Sequence, residues 1–111
     1  MKLNFAQKQN TLIVSLSGEL DHHTAVTSRV KIDDEIQRGC TNNFILDCKN
    51  LEFMDSSGIG MIIGRYKKIK SLRGKFYATN LNPQVKRLFN VSGLDRIIKT
   101  YSNNNTALKN M

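Results

Sequence analysis

The sequence predicts an α/β domain with a mixed β-sheet, and three observations support this fold class. After an opening pair of strand-like segments, segments with strand character alternate with segments of helical periodicity. Residues 43–48 are almost continuously apolar, as is typical of a central strand in an α/β sheet. A chain of 111 residues is long enough for one domain with a hydrophobic core, and no internal repeat indicates a second domain.

The N-terminal segments predict a β-hairpin. Residues 3–7 and 11–18 alternate between apolar and polar side chains, and Asn10 between them is a typical turn residue. Residues 18–23 are mostly polar, so we expect a loop there before the first helix.

The first helix is predicted to begin at His23 or Thr24 and to end near Arg38. Val26 and Val30 lie on a face where we expect partial exposure. Four other residues recur with helical spacing and form a thin stripe that faces the core: Ala25, Ser28, Ile32 and Ile36.

The second helix is predicted to follow residues 51–54 and to run from Ser56 to about Leu72. Its apolar face is formed by Ile59, Ile62, Ile63, Tyr66 and Ile69. The opposite face carries Met61, Arg65 and Lys68, where side chains would be accessible to a partner.

The remaining residues predict a strand, a helix and a short edge strand. Residues 75–79 have strand character, and residues 83–90 form a helix with Asn82 as its N-cap and proline at its first position. Residues 95–100 are interpreted as a short edge strand. Residues 102–111 are expected to be a turn followed by a weakly anchored segment.

The composition excludes several classes of protein. With 40% hydrophobic residues and one proline, the chain does not resemble a disordered protein. No apolar run approaches the roughly 18 residues of a membrane span, and the N-terminus lacks the apolar segment of a signal peptide. We therefore expect a cytoplasmic protein. Cys40 and Cys48 do not form a metal-ligand pattern, and Cys48 is expected in the core.

The net charge of +8 is unevenly distributed along the chain. Residues 1–55 contain 6 Lys/Arg and 8 Asp/Glu, a net charge of −2, whereas residues 56–111 contain 11 Lys/Arg and one acid, a net charge of +10. This asymmetry is compatible with an acidic partner, with nucleic acid or with simple solubility. A basic nucleic-acid-binding α/β module is therefore the alternative function, although no aromatic-basic motif accompanies the charge.

Residues 53–60, Phe-Met-Asp-Ser-Ser-Gly-Ile-Gly, mark the end of a strand and the start of a helix. Asp55 is a suitable N-cap, because its carboxylate can accept hydrogen bonds from the first free amides. Ser56 and Ser57 occupy the first turn, where the helix dipole favours negative charge. The turn is either only a good cap or a position that binds or accepts phosphate.

Two enzymatic interpretations of this turn are weaker. Gly58-x-Gly60-x-x-x-Gly64 approaches a dinucleotide-binding fingerprint, but its last spacing is one residue too long and no acid ends the next strand. A serine hydrolase would need a nucleophile and a base, and the candidate residues are Asp21, His22, His23 and Ser56. The Gly-x-Ser-x-Gly pattern of a nucleophile elbow is absent from the sequence.

A further interpretation of the serine turn is that it carries a regulatory phosphate. Phosphorylation would add a charge of about −1.5 to −2 at a helix N-terminus, which the helix itself tolerates. A partner docked on that end would instead meet repulsion and desolvation. We therefore expect a change in binding with little refolding.

Four segments together resemble one family. They are Gly-Glu-Leu-Asp-His-His-Thr-Ala at 18–25, the serine turn at 53–60, Gly-Arg-Tyr-Lys at 64–67, and Pro-x-Val-Lys-Arg-Leu-Phe-x-x-Ser-Gly-Leu at 83–94. The sequence resembles the STAS-domain anti-sigma factor antagonists, most closely their sporulation members, from about residue 3 to residue 108. This resemblance implies a compact mixed sheet of four to five strands with about four helices mostly on one side.

The resemblance also implies a regulator that acts by binding and is not an enzyme. Unphosphorylated members of the family bind an anti-sigma factor that is also a serine kinase, which releases a sporulation sigma factor. The kinase uses ATP and Mg²⁺ to phosphorylate the first serine of the motif, which is Ser56 here, with Ser57 as the alternative. A PP2C-type phosphatase removes the phosphate. The protein needs no cofactor of its own, although nucleotide binding has been proposed for family members, and we expect a monomer when it is free.

The residues expected to contact the partner lie in two of these segments. The capping carboxylate would hold the turn, the glycines would let the partner's backbone approach, and residues 21–24 would form the adjacent rim. No catalytic residue or metal ligand is predicted. The full set is Asp21, His22, His23, Thr24, Asp55, Ser56, Ser57, Gly58, Ile59, Gly60, Met61 and Arg65.

Overall fold

The computed structural model describes residues 1–39 and 41–111, so that Cys40 lies outside the described residues. It contains a five-stranded sheet and five helices, which confirms the predicted α/β fold with a mixed sheet. The strands β1 to β5 are Lys2–Lys8, Thr11–Leu20, Asn43–Met54, Phe76–Thr79 and Lys99–Tyr101. The helices α1 to α5 are His22–Gly39, Ser56–Ser71, Pro83–Ser92, Leu94–Ile97 and Asn104–Lys109.

The strands lie side by side in the order in which they occur along the chain. β1 and β2 form the predicted antiparallel hairpin, whose pairing of Lys8 with Thr11 leaves a two-residue turn that includes Asn10. β2, β3, β4 and β5 are all parallel to one another. Parallel neighbours require a crossover, and the helices supply it. The carboxyl ends of the parallel strands therefore meet at one edge of the sheet.

The two faces of the sheet are covered unequally. Alternate residues of β2 point to opposite sides, so that Leu12 and Val14 join the large core beneath α1 to α4, whereas Ile13 joins a smaller cluster. In that smaller cluster Ile13 and Ile45 pack with Ala107 of α5. Among the described residues, α1 to α4 therefore lie on one side of the sheet and the short helix α5 lies on the other.

The predicted stripe of α1 is confirmed, since its buried residues are Ala25, Ser28, Ile32 and Ile36. The caps of α3 are also as predicted. The Asn82 side chain accepts a hydrogen bond from the Val85 amide at 2.9 Å, proline follows it, and Gly93 ends the helix with a left-handed φ of 84°.

Three sequence predictions of local structure are wrong. The loop expected at residues 18–23 is mostly strand and helix, because β2 continues through two register irregularities to the buried Leu20 and α1 begins at His22. The edge strand expected at residues 95–100 is a helical turn, α4, followed by β5. The C-terminal segment is anchored, since Ala107 is fully buried and the Tyr77 hydroxyl donates to the Asn110 carbonyl at 2.8 Å.

Candidate functional site

The sheet brings the two predicted motif segments together at one edge. β2 and β3 are parallel neighbours, and their last residues, Leu20 and Met54, are paired. Asp21 and Asp55 follow directly, and each precedes a helix that begins at the next residue. The N-termini of α1 and α2 are therefore adjacent and form one surface.

Asp55 connects these two helix ends. Its Oδ1 accepts hydrogen bonds from the amides of Ser57 at 2.9 Å and Gly58 at 3.0 Å, which is the predicted N-cap of α2. Its Oδ2 accepts a hydrogen bond from the amide of His22, the first residue of α1, at 3.1 Å. One carboxylate thus fixes the first turns of both helices relative to each other.

Asp21 and Thr24 cap α1 reciprocally. The Asp21 carboxylate accepts from the Thr24 amide at 3.0 Å, and the Thr24 hydroxyl accepts from the Asp21 amide at 2.8 Å. The Thr24 hydroxyl also donates to the Glu19 carbonyl at 2.9 Å. The hydrogen bond from the Thr24 amide, more than any other contact, lowers the pKa of the Asp21 carboxyl. These two residues shape the rim, while His22 and His23 on α1 are exposed.

The two serines of the turn differ in their surroundings. Ser56 is exposed, and none of the described residues hydrogen-bonds its hydroxyl. Ser57 is half-buried, and its Oγ lies 3.2 Å from Nδ1 of His22. Of the two candidate acceptors, Ser56 therefore presents the free hydroxyl and Ser57 the constrained one.

The described contacts do not favour serine hydrolysis. His22 does approach a serine hydroxyl, but this serine is Ser57 and not Ser56. Among the described residues, no carboxylate hydrogen-bonds the His22 ring. The Asp21 carboxylate binds Thr24, and the Asp55 carboxylate contacts His22 through the backbone amide and not through the ring. The pair therefore lacks the third group that orients a catalytic imidazole.

The glycines of the turn have different roles. A Cβ on Gly58 would lie 2.5 Å from the Leu20 carbonyl oxygen, so this glycine allows α2 to pack against the end of β2. Gly58 is buried, which corrects the expectation that it admits a partner's backbone. Gly60 is exposed, and a Cβ there would meet nothing within 4 Å. Ile59 is half-buried and packs against the main core.

Met61 and Arg65 are not on the exposed face where the helical periodicity placed them. Met61 is only 5% exposed and belongs to the main core. The Arg65 side chain is 12% exposed, and its Nε lies 3.0 Å from Oδ1 of Asp33 on α1, in an ion pair without hydrogen-bond geometry. Burial lowers the pKa of the Arg65 guanidinium, and the Asp33 carboxylate opposes this. The prediction failed because α1 covers this side of α2.

A shallow groove of about 310 Å³ runs between α1 and α2 beside Ser57. Met61 lies in its lining, together with two residues of α1 that the sequence analysis did not select, Val26 and Arg29. Val26 is 54% exposed, and an exposed apolar side chain in this position is suited to contact with a partner. Its position on an outer helical face was the signal that could have identified it.

The described residues contain no cluster of three or more His, Cys, Asp or Glu side chains suited to a metal ion. Within the same residues, no helix combines the length and the apolar character needed to cross a membrane. The dinucleotide interpretation also loses support, because the described strands lie in chain order without a reversal and Thr79 is buried against Asn104.

Comparison with known proteins identifies the family. Residues 2–107 match the STAS domain. An anti-sigma F factor antagonist from Paenibacillus polymyxa is 44% identical over 108 residues, which cover 97% of this chain and 92% of that protein. An anti-sigma-B factor antagonist from Bacillus subtilis is 31% identical over 98 residues, which cover 88% of each chain.

Two solved structures of SpoIIAA share the fold, one unphosphorylated and the other, from Bacillus, phosphorylated. Both have a TM-score of 0.75, at 25% and 29% identity, and they match 98% of this chain and 96% and 98% of their own chains. These findings confirm the resemblance carried by the four sequence segments. The chain therefore belongs to the STAS domain family, among the anti-sigma factor antagonists.

Proposed function

We propose that this protein binds an anti-sigma factor that is also a serine kinase, through the surface formed by the N-termini of α1 and α2. This binding releases the sporulation sigma factor from the anti-sigma factor. Phosphorylation of Ser56 ends the binding. A PP2C-type phosphatase restores the binding form. The free, exposed hydroxyl of Ser56 beside the constrained hydroxyl of Ser57 carries this proposal. The existence of a solved structure of SpoIIAA in its phosphorylated form supports this proposal.

The geometry explains why a phosphate would change binding without unfolding the helix. The first turn of α2 contains no acidic residue, and its amides favour negative charge. The amides of the turn favour the added charge of about −1.5 to −2, and the Asp55 carboxylate beside Ser56 opposes it, so we expect a local adjustment of the turn without unfolding of the helix. A partner covering the same helix ends would have to desolvate that charge, which weakens its docking.

The group transfer needs little from this protein. The Ser56 oxygen attacks the γ-phosphorus of ATP, the bond from that phosphorus to the bridging oxygen breaks, the serine proton passes to a base of the kinase, and ADP leaves. The kinase supplies the base, the nucleotide and Mg²⁺. The protein itself acts in the cytoplasm as a non-catalytic monomer without its own cofactor.

The proposal is tested with the immobilised anti-sigma F factor of the source organism, in the presence of Mg²⁺ and either ADP or ATP. The unaltered protein should be retained with ADP and released with ATP as it becomes phosphorylated. Ser56→Ala should be retained with both nucleotides, and Ser56→Asp should be retained poorly with both while its circular dichroism stays unchanged. Ser57→Ala is the matched control for the phosphate site: whatever its effect on partner affinity, it should still be phosphorylated and released when ATP replaces ADP. Release and phosphorylation of Ser56→Ala would contradict the proposal.

Nucleic-acid binding remains the alternative prediction. It rests on the net charge of +10 over residues 56–111. Two basic side chains of this half, Arg65 and Lys68, pair with Asp33, which accounts for part of the charge within the fold. A gel shift at micromolar protein that weakens as salt is raised would support nucleic-acid binding, and no shift would exclude it.

A further inference from the structure

Ser56 and Ser57 are two candidate phosphate acceptors in the same helical turn. Both hydroxyls lie near the N-terminus of α2, so the fold brings both to the same surface. The structural difference between them is the contact of Ser57 with His22, a residue 35 positions earlier in the chain.

His22 is held in place by the same carboxylate that caps α2. The Asp55 carboxylate accepts from the His22 amide at 3.1 Å through Oδ2 and from the Ser57 amide at 2.9 Å through Oδ1. The His22 ring also packs edge-on against the His23 ring, with 5.9 Å between their centroids. Backbone and ring contacts therefore keep Nδ1 of His22 at 3.2 Å from the Ser57 hydroxyl.

We propose that His22 is a positioning residue that restricts phosphorylation to Ser56 by holding the hydroxyl of Ser57. This inference rests on the proposed function. An acceptor hydroxyl must reach the γ-phosphorus in line with the leaving oxygen and give its proton to the kinase. The Ser57 hydroxyl must first leave His22 and turn out of the groove between α1 and α2, whereas the Ser56 hydroxyl is already free.

Removing the imidazole should make Ser57 a second acceptor. In His22→Ala the share of phosphate on Ser57 should rise about two- to tenfold, the range expected for the loss of one hydrogen bond. His22→Asn should restore the preference for Ser56, because the Asn side chain can place a hydrogen-bonding atom close to the position of Nδ1. His23→Ala is the comparison variant: it removes the ring that packs against His22 and retains the Nδ1 contact, so the share of phosphate on Ser57 should rise less than in His22→Ala.

The experiment incubates each full-length variant with the anti-sigma F factor of the source organism, ATP and Mg²⁺, and locates the phosphate by tandem mass spectrometry of peptides. A rise of Ser57 phosphate in His22→Ala, with rescue by His22→Asn, supports the inference. Phosphate confined to Ser56 in His22→Ala overturns it and leaves the proposed function intact. Phosphate mainly on Ser57 in the unaltered protein, which is the result expected if His22 activated that hydroxyl as a base, also overturns it. An unaltered protein without phosphate overturns both proposals.

A second measurement tests the contact without the kinase. In a ¹⁵N spectrum of the histidine ring nitrogens, Ser57→Ala should shift the Nδ1 resonance of His22, whereas Ser56→Ala should leave it in place. Equal spectra for Ser57→Ala and the unaltered protein would show that His22 does not hold this hydroxyl, and the inference would be wrong.

Discussion

At the residue scale, Asp21 should make the stability of the protein sensitive to acid. The hydrogen bond from the Thr24 amide, more than any other contact, lowers the pKa of this carboxyl below its ordinary value of 3.8. As the pH falls below about 3.8, the unfolded chain therefore takes up the proton before the folded protein does. The stabilising contribution of the carboxylate is present above this pH and is lost as the pH falls through the lower pKa of the folded state.

Asp21→Asn removes this titration and retains a side-chain oxygen suited to an N-cap. We expect the free energy of unfolding of Asp21→Asn to fall less between pH 5 and pH 3 than that of the unaltered protein. Urea denaturation at several pH values measures this difference. An equal loss in both proteins would mean that the capping hydrogen bonds do not favour the ionised form of Asp21.

The residues that the sequence predicted best are those whose role is local. Asp55 and Asn82 each cap a helix that starts at the next residue, so neighbouring residue types were enough to identify them. The contact between His22 and Ser57 joins residues 35 positions apart and depends on the parallel pairing of β2 and β3. Met61 was misplaced for a related reason, because the burial of a helical face depends on what packs against it.

At the scale of elements, the junction between β2 and α2 depends on the size of one residue. A Cβ on Gly58 would lie 2.5 Å from the Leu20 carbonyl oxygen and 2.9 Å from Leu20 Cγ, so the backbone of one element would have to move. We expect Gly58→Ala to lower the free energy of unfolding by roughly 1–3 kcal/mol, as for other overpacked sites.

Gly60→Ala is the matched control, two residues further along the same helix. A Cβ on Gly60 would meet nothing within 4 Å, and Ala has the higher helix propensity. Gly60→Ala should therefore raise the free energy of unfolding by about 0.5–1 kcal/mol. Chemical denaturation of both variants checks the pair, and equal effects would mean that the Leu20 contact does not restrict Gly58.

The element boundaries that sequence reasoning missed lie where polar residues belong to a strand. Glu19 suggested a loop, yet β2 continues past it because Leu20 is buried and pairs with Met54. The register irregularities at residues 15–19 allow the strand to carry these residues to the sheet edge. Alternation of apolar and polar residues cannot reveal a strand in which the alternation is interrupted.

At the scale of the whole molecule, the acidic first half and the basic second half of the sequence contribute oppositely charged residues to neighbouring helices. Asp33 lies in the acidic first half and on α1, whereas Arg65 and Lys68 lie in the basic second half and on α2. The Asp33 carboxylate is 3.0 Å from Arg65 Nε and 3.6 Å from Lys68 Nζ. The two helices that carry the proposed binding surface are thus held together by charged residues, of which Arg65 also lines the groove beside Ser57.

The face of the sheet that carries Ile13 and Ile45 depends on a polar connection to α5. Asp47 of β3 accepts a hydrogen bond from the Asn104 side-chain amide at 3.0 Å, and the Thr79 hydroxyl donates to Oδ1 of the same Asn104 side chain at 2.5 Å. Asp47 also accepts from the Asn80 side chain at 3.0 Å. These hydrogen bonds fix the start of α5 over Ile13 and Ile45. The asparagine-rich sequence predicted neither the length of α5 nor the residues that its side chains contact.

Asn104→Ala should therefore destabilise the protein far more than the same change at the next residue. It removes hydrogen bonds to a carboxylate and to a buried threonine, and a bond to a charged group contributes about 1.5–3 kcal/mol. Asn105 is exposed, and no described residue hydrogen-bonds its side chain, so Asn105→Ala should change stability by no more than about 0.5 kcal/mol. Urea denaturation of the two variants measures the difference. Equal stabilities would mean that the hydrogen bonds of Asn104 do not anchor α5 and that its other contacts, including the packing of the buried Ala107, hold it in place.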